Sequence, residues 1–565
     1  MPDTHSNLLN EVRTLKEEIK QLKTRKKFGL VWEDKPEEVV ELCKEKLPVL
    51  SEDKTRAIKG NNGPTNIFIE GDNYHALSVL NYTHQGKIDA IYIDPPYNTG
   101  ARDWKYNNNY VDTSDSFRHS KWISFMYHRL LLARELLSKE GVICVTIDDN
   151  ELPKLLLLME EIFGEDKHLG TVVIRNNPKG RMTNKKFSLI HEYAVFFGKT
   201  SSSSIKKLPI SPEDKTHNYQ KAADGSWFLT VNLRKQGVDS TAYNKKGKLS
   251  ERYFPIYFDP SNGQVSSVKK FEIEIWPVDQ KGEKRIWRRG REAIDEMYSQ
   301  GDLWVKQVSG KYQVYYKFRG GLEGQMPKSM WYDSKFSASE YGTNILDTIM
   351  GARETFQYPK SPYAVMESIL AITNKKDAQI LDFFAGSGTT AQAVIMLNKK
   401  DNGHRRFILC TNNENKIAEE VTYPRIKKVM EGVKGLEEIT GAEANLRYLK
   451  TDFIDGIITD KNKKNLVNKS TEMLCLKEDC FDVVKKGQNF KIFNNNQGKN
   501  LGIIYDDTGI EPFKKEVQKL NKKVSTYVFS LDDSAREEEF EDIDSFVELR
   551  PIPTAILNVY RRIFK

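Results

Sequence analysis

Cysteine is scarce in this chain of 565 residues: five are present (Cys43, Cys144, Cys410, Cys475 and Cys480), with no C-x-x-C pair and no Cys/His cluster. Neither a zinc site nor a disulfide framework can be built from them, so no metal is expected and the thiols suit a reducing cytosol. Long apolar runs are missing too. Nothing approaches the roughly twenty residues of a membrane-spanning helix, and no signal-peptide pattern is read; a soluble, cytoplasmic protein is the expectation. Negative charge is in deficit, with 79 acidic residues against 87 Lys and Arg and a net charge of +8. That balance suits a polyanionic partner without requiring one. The length accommodates two or three domains with sizeable cores.

A further absence is more specific. Residues 379–390 read QILDFFAGSGTT and run into the helical pattern AQAVIMLNK. Here an apolar strand enters a glycine-rich turn and then a helix. Gly386 and Gly388 let backbone approach a ligand closely, and the helix start offers free N–H groups. A phosphate loop would need a Lys after Gly388, and none is there. Without that Lys a triphosphate lacks its main positive partner. The dinucleotide fingerprint is incomplete: Ala391 stands at its third small position, but the spacing is otherwise generic. A small zwitterionic cofactor carrying adenosine fits better.

The other informative feature is Asp94-Pro95-Pro96-Tyr97, directly after the apolar run Ile88 to Ile93. It sets a carboxylate, a rigid turn lacking two backbone donors and an aromatic ring at one strand end. Ligands of open α/β sheets bind outside such ends. These groups suit a planar base and its exocyclic amine, although the tetrapeptide alone reads equally well as a turn that ends a strand.

Together the two motifs resemble the amino-methyltransferases that use S-adenosylmethionine. In those enzymes F-x-G-x-G binds the cofactor and D-P-P-Y holds the target amine. DPPY preceding FAGSG resembles the circularly permuted β-class of DNA amino-methyltransferases. The blocks EGDNYHAL (70–77), HRLLLARELLSKEGVICVTIDDNE (128–151), SASEYGTNIL (337–346), YPKSPYAVMESIL (358–370), RRFILCTNNEN (405–415) and VTYPRIKKV (421–429) resemble modification subunits of type III restriction–modification systems. The likeness covers roughly residues 60 to 450. It implies a site-specific DNA methyltransferase moving a methyl group from S-adenosyl-L-methionine to the N6 amine of an adenine flipped out of double-stranded DNA. A homodimer and a restriction (helicase–nuclease) partner are implied with it.

Carried onto this sequence, the resemblance makes Asp94, Pro95, Pro96 and Tyr97 the catalytic residues. It makes Phe384, Ala385, Gly386, Gly388 and Thr389 the cofactor loop. Asp72 is expected near the cofactor or as a helix N-cap, Asp382 facing the methionine ammonium, and Glu414 accepting from the ribose hydroxyls. Lys360 stands where the family often has Lys-Pro near the cofactor; this chain has Lys-Ser, which weakens that reading. Two rival functions stay open, a cytosine-N4 methyltransferase and a non-catalytic DNA-recognition scaffold.

The expected fold class is α/β: a doubly wound, mostly parallel, Rossmann-like sheet with an inserted α+β target-recognition domain. Residues 1–60 read as an N-terminal helix and linker, with coiled-coil spacing at Leu8, Val12, Leu15, Ile19 and Leu22 over about two heptads. The methyltransferase domain is expected over 61–200 and 336–450, with Ala101 to Asp115 as a polar loop. Residues 201–335 are expected to read DNA. There KGEKRIWRRGR (281–291) puts Arg285, Trp287, Arg288, Arg289 and Arg291 within one basic stretch, suited to phosphates and guanine edges. Residues 451–565 read as a small α/β module for dimerisation or docking.

Overall fold

The apolar runs that read as strands pair into one large sheet. In the computed structural model, which describes residues 30–552 apart from 61–62, 108, 181–186, 211–218, 245–246, 321–322, 354, 443, 456–459, 496 and 530–533, together with Ile556 and Asn558, the chain forms two compact units. One comprises residues 1–206 and 328–565, the other 207–327. The coiled-coil spacing at 8–22 lies outside the described residues.

The first unit opens with α1 (Glu38–Glu45), β1 (Lys46–Glu52), β2 (Thr65–Glu70), α2 (Asn73–Thr83) and β3 (Ile88–Ile93). A hairpin follows, β4 (Ala101–Tyr106) and β5 (Asn109–Asp112), then α3 (Arg118–Leu136), β6 (Leu137–Ile147), α4 (Leu152–Phe163), β7 (His168–Ile174) and β8 (Glu192–Gly198). After the second unit come β9 (Met330–Trp331), α5 (Pro362–Ile372), β10 (Gln379–Asp382) and α6 (Thr389–Asp401). The sheet is completed by β11 (Arg406–Thr411), α7 (Tyr423–Glu431) and β12 (Asn445–Asp455).

The ten strands lie in the order β1-β12-β2-β11-β10-β3-β6-β8-β7-β9. The pairings from β12 through β2, β11, β10 and β3 to β6 are parallel, as is β9 with β7. The mostly parallel, doubly wound sheet is thus present. β8 runs antiparallel to both β6 and β7, because a loop rather than a crossover helix leads into it from β7. One hydrophobic cluster covers each face, which is why the central strands are apolar at nearly every position.

Three expectations are corrected. The end of the segment 1–60, read as a linker, supplies α1 and the edge strand β1, which pairs antiparallel with β12. The loop Ala101 to Asp115 contains the β4–β5 hairpin, with Lys105 opposite Tyr110. The interval 201–335 gives a unit confined to 207–327. Ser203 still bonds the Gly141 carbonyl at 3.0 Å, and Met330–Trp331 already form β9.

Beyond β12 a five-stranded sheet runs in chain order from Asp482–Lys486 to Val547–Ile552, beside the helix Ile510–Leu520. It belongs to the first unit: Met473, Leu474, Leu501 and Tyr527 join the cluster that contains Leu77 and Leu80 of α2. The second unit has four- and three-stranded antiparallel sheets and the helix Arg291–Ser299 around its own core. No helix among the described residues is long and apolar enough to cross a membrane.

Candidate active site

β10 and β3 lie side by side, pairing Ile380 with Ala90 and Leu381 with Ile91. Two motifs far apart in sequence therefore leave the sheet at the same end. Between them opens a cavity of about 1150 Å³. Asp94, Pro95 and Pro96 form one wall, and Phe383, Phe384 and Gly386 another. Asp72 and Asn73 enter after β2, and Asn412 and Glu414 after β11. The face of α1 that bears Glu38, Glu41 and Glu45 closes a further side.

Asp94 is held by a buried polar network. Its Oδ1 accepts from Thr146 Oγ1 at 2.7 Å and meets Lys360 Nζ at 3.2 Å. Both contacts fall on Oδ1, and Asp94 lines the cavity. Trp122 Nε1 donates to the Pro96 carbonyl at 2.7 Å, and Pro95 lines the cavity beside it. The Tyr97 hydroxyl donates to Glu192 Oε2 at 3.1 Å and accepts from Lys360 Nζ at 2.6 Å. Asn176 Nδ2 also donates to Glu192 Oε2, at 2.7 Å. Burial, with Asp94 and Glu192 nearby, drives the Tyr97 phenol well above its ordinary pKa, so it stays protonated. Tyr97 does not line the cavity.

Lys360 differs from its expectation. Its ammonium joins Asp94 and Glu192 and lies 4.7 Å from the Tyr97 ring centre, so it serves the DPPY motif and not the cavity's cofactor side. Burial pulls its pKa down, and the two carboxylates more than reverse that.

The glycine loop is braced from behind. Gly386 (φ 48°) and Gly388 (φ 82°) adopt the left-handed backbone that glycine favours. A Cβ on Gly386 would meet nothing nearer than Phe356 at 3.7 Å, so backbone is open to the cavity there. Of the expected loop residues, Phe384 and Gly386 line the cavity, while Ala385, Gly388 and Thr389 do not. Asp382 is also withdrawn. It is buried, accepting from Phe384 N at 2.9 Å and Thr390 Oγ1 at 2.5 Å. Burial pushes its carboxyl up to about 7. Its two oxygens hold the loop's shape, which removes it from the methionine-ammonium role.

Arg425 is buried and donates to Ser387 Oγ at 2.8 Å, Thr389 Oγ1 at 2.9 Å and Gln392 Oε1 at 2.7 Å. Thr422 Oγ1 donates to the Gly386 carbonyl at 2.6 Å. Both come from the VTYPRI stretch, which therefore clamps the loop.

Asp72 is both a helix cap and a lining residue of the cavity. One oxygen caps α2 through Tyr74 N at 2.7 Å, and the residue lines the cavity. Its other oxygen lies 3.5 Å from Arg129, which is fully buried and paired at 2.6 and 2.8 Å with Glu37. Glu414 lines the cavity as expected of a ribose acceptor, and there it meets Lys105 of the hairpin in an ion pair.

The basic stretch of the second unit is largely committed internally. Trp287 is 2% exposed and donates to the Phe254 carbonyl at 2.8 Å. A buried indole with its donor satisfied is a core residue, so Trp287 leaves the set of DNA contacts. Arg285 is tied to Asp279 at 2.7 Å and to Glu283. Arg288 donates to the Asn232 carbonyl at 3.1 Å, and Arg291 bonds the Ser267 carbonyl. Arg289 is exposed.

Sequence reading missed Thr146, Glu192, Arg129, Glu37 and Arg425. The available signal was a charge inside an apolar helical pattern, as in HRLLLARELL and YPRIKK, or an acid opening the apolar strand EYAVFF. Neither says which partner lies opposite.

A glycine loop and a proline-braced carboxylate on adjacent parallel strands, sharing one cavity, define an α/β methyltransferase site. Residues 88–451 match the N6/N4 DNA methylase family, and the chain belongs to it. It is 33% identical over 388 residues to the type II methyltransferase M.KpnI of Klebsiella pneumoniae, covering 68% of this chain and 88% of that one. It is 32% identical over 398 residues to the EcoPI Mod subunit, a type III restriction–modification enzyme of Escherichia phage P1, covering 65% and 60%. The StyLTI Mod subunit of Salmonella typhimurium is 29% identical over 416 residues, covering 68% and 58%. The resemblance to type III modification subunits is borne out, and the chain spans about 60% of the length of those two subunits.

Proposed function

We propose that this protein moves a methyl group from S-adenosyl-L-methionine to the N6 amine of an adenine flipped out of double-stranded DNA. The observation that carries the reading is the shared cavity: Asp94 and Pro95 face the same space as Phe384, Gly386 and Glu414. The lining suits the cofactor, with open backbone at Gly386, aromatic rings at Phe384 and Phe356, and a carboxylate at Glu414. When bound, S-adenosylmethionine supplies an electrophilic methyl on a sulfonium.

The protein's own part is positioning. Asp94 Oδ2 and the Pro95 carbonyl accept the two N–H bonds of the exocyclic amine. Their pull favours a tetrahedral nitrogen whose lone pair is no longer delocalised into the ring. As the N–C bond forms the nitrogen becomes acidic, and Asp94 receives or relays the released proton. Lys360 and Thr146 fix Oδ1, so Oδ2 points at the amine. Flipping a base costs a few kcal/mol, and Tyr97, held by Glu192 and Lys360 behind the cavity wall, fixes the turn that presents Asp94 and Pro95.

The family setting supports a modification subunit of a type III system, working in the cytoplasm as a homodimer with a restriction subunit. A second reading has its own support: M.KpnI, a relative 33% identical to this chain, is a type II methyltransferase. In that reading it methylates without a restriction subunit. Single-molecule sequencing of DNA from cells expressing the protein, beside an Asp94→Ala control, tests the reaction. N6-methyladenine at one short asymmetric motif is expected, with turnover roughly 10²–10⁴ lower in the control. Methylated cytosine instead would replace adenine by the N4 reading, and an unmodified genome would favour the scaffold.

A further inference from the structure

The residue directly after the DPPY turn has no part in the chemistry, yet it is held more completely than any exit from a turn requires. Asn98 is fully buried and adopts a left-handed backbone, with φ 55°. That conformation is uncommon away from glycine, and Asn is among the residues that tolerate it. Both ends of its amide are bonded. Nδ2 donates to Glu151 Oε1 at 2.6 Å and to the Arg118 carbonyl at 3.3 Å, and Oδ1 accepts from Trp104 Nε1 at 3.0 Å.

Glu151 is a carboxylate with no exposed surface, placed just before α4. Besides Asn98 it meets His119 Nδ1 from the first turn of α3, and Lys154 Nζ lies 3.3 Å from its Oε2. Four elements thus converge on one amide and one carboxylate: the turn after β3, the β4–β5 hairpin through Trp104, and the starts of α3 and α4. The network continues to the cavity. Trp104 lines it, and its ring centre is 5.2 Å from that of Phe125, which is 5.8 Å from that of Phe384 in the glycine loop. Apolar residues would fill the same space without the cost of burying a charge, so stability alone does not account for the pair.

We infer that Asn98 is a positioning residue for methyl transfer, with Glu151 as its anchor. Thr146 and Lys360 hold the DPPY turn at its first residue; Asn98 and Glu151 hold it at its exit, in the backbone conformation that brings Asp94 and Pro95 to the cavity. The inference rests on the methyltransferase reading and deepens it.

The test uses the full-length protein, labelled S-adenosylmethionine and plasmid DNA from cells that lack the protein. Single-turnover rates are taken per cofactor bound, so that unfolded protein does not enter them. Asn98→Asp sets a second carboxylate against Glu151 and should lower the rate roughly 10²-fold, the penalty of a misplaced reacting group, with cofactor affinity unchanged. Combining Asn98→Asp with Glu151→Gln restores the bond with donor and acceptor exchanged and should recover most of the loss. Asn98→Gly keeps the left-handed backbone without the amide; it should bind cofactor normally and lose rate to a similar extent. A double variant no faster than Asn98→Asp, or a wild-type rate in Asn98→Gly, overturns the inference. If either Asp-bearing variant binds no cofactor, Asn98→Gly decides alone, and loss of cofactor binding there shows a purely structural role and overturns it too. A wild type that transfers no methyl group overturns the methyltransferase reading, whereas methylation by wild type and variants alike overturns the positioning role only.

Discussion

Lys360 and Glu192 form a buried pair at the back of the catalytic motif, with side chains 12% and 3% exposed. Removing one partner of such a pair leaves a buried charge, at a cost of about 3–5 kcal/mol. Lys360→Met should therefore lower both thermal stability and turnover. The double variant Lys360→Met with Glu192→Gln removes both charges and should regain most of the stability. Its turnover should stay down by roughly 10², the penalty of a misplaced reacting group, because Asp94 Oδ1 and the Tyr97 hydroxyl lose a shared donor. Melting temperature and single-turnover rates measure the two separately. Wild-type turnover in the double variant would refute a positioning role. None of this was legible in PKSPY, where the Lys-Ser departure only weakened a cofactor assignment. The partner carboxylates come from the turn after β3 and from the start of β8, and pairing across a sheet leaves no local pattern.

At the scale of elements, α1 shows how a segment read as linker becomes a wall. Its charged residues gave little reason to place it in the fold. The deciding contact is Glu37 with Arg129, at 2.6 and 2.8 Å in a fully buried site. Arg129 also approaches Asp72 on the cavity's rim. Glu37→Ala should release α1 and weaken cofactor binding by roughly 10-fold, through loss of a wall and of Asp72's anchor. Calorimetric titration with S-adenosylmethionine, alongside limited proteolysis near residue 45, reads both effects. Tight binding with a protected α1 would sink the idea. The glycine loop behaves otherwise: its strand–turn–helix form is local and was readable, while its clamp, Arg425 and Thr422, arrives from a different helix.

For the whole molecule, the distribution of cores decides how it unfolds. The expected boundary near residue 450 is crossed by a continuous cluster that includes Leu77, Met473, Leu501 and Tyr527. Polar contacts cross it as well, with Arg406 paired to Asp479 at 2.7 Å and Lys87 donating to the Lys477 carbonyl at 3.1 Å. The unit 207–327 has a separate core around Trp287, Ile256 and Val314. Calorimetry should thus resolve two transitions and not three. Ending the chain at residue 450 should abolish the larger one, whereas deleting 207–327 with a short linker should spare it. A soluble, cooperatively folding product from residues 1–450 would contradict this.

Sequence alone determined the chemistry's ingredients and the architecture's class. Apolar runs of strand length, bounded by polar and turn-forming residues, specify strands and turns through local sterics and burial, and those are written residue by residue. DPPY and FAGSG were readable for the same reason. Tertiary structure alone decided which residues meet. It set β10 beside β3, gave Lys360 to Asp94, and turned Asp382 and Trp287 inward. Such outcomes depend on strand order and on charges brought together from distant segments, and free energies of that kind belong to pairs of residues, not to any stretch of sequence.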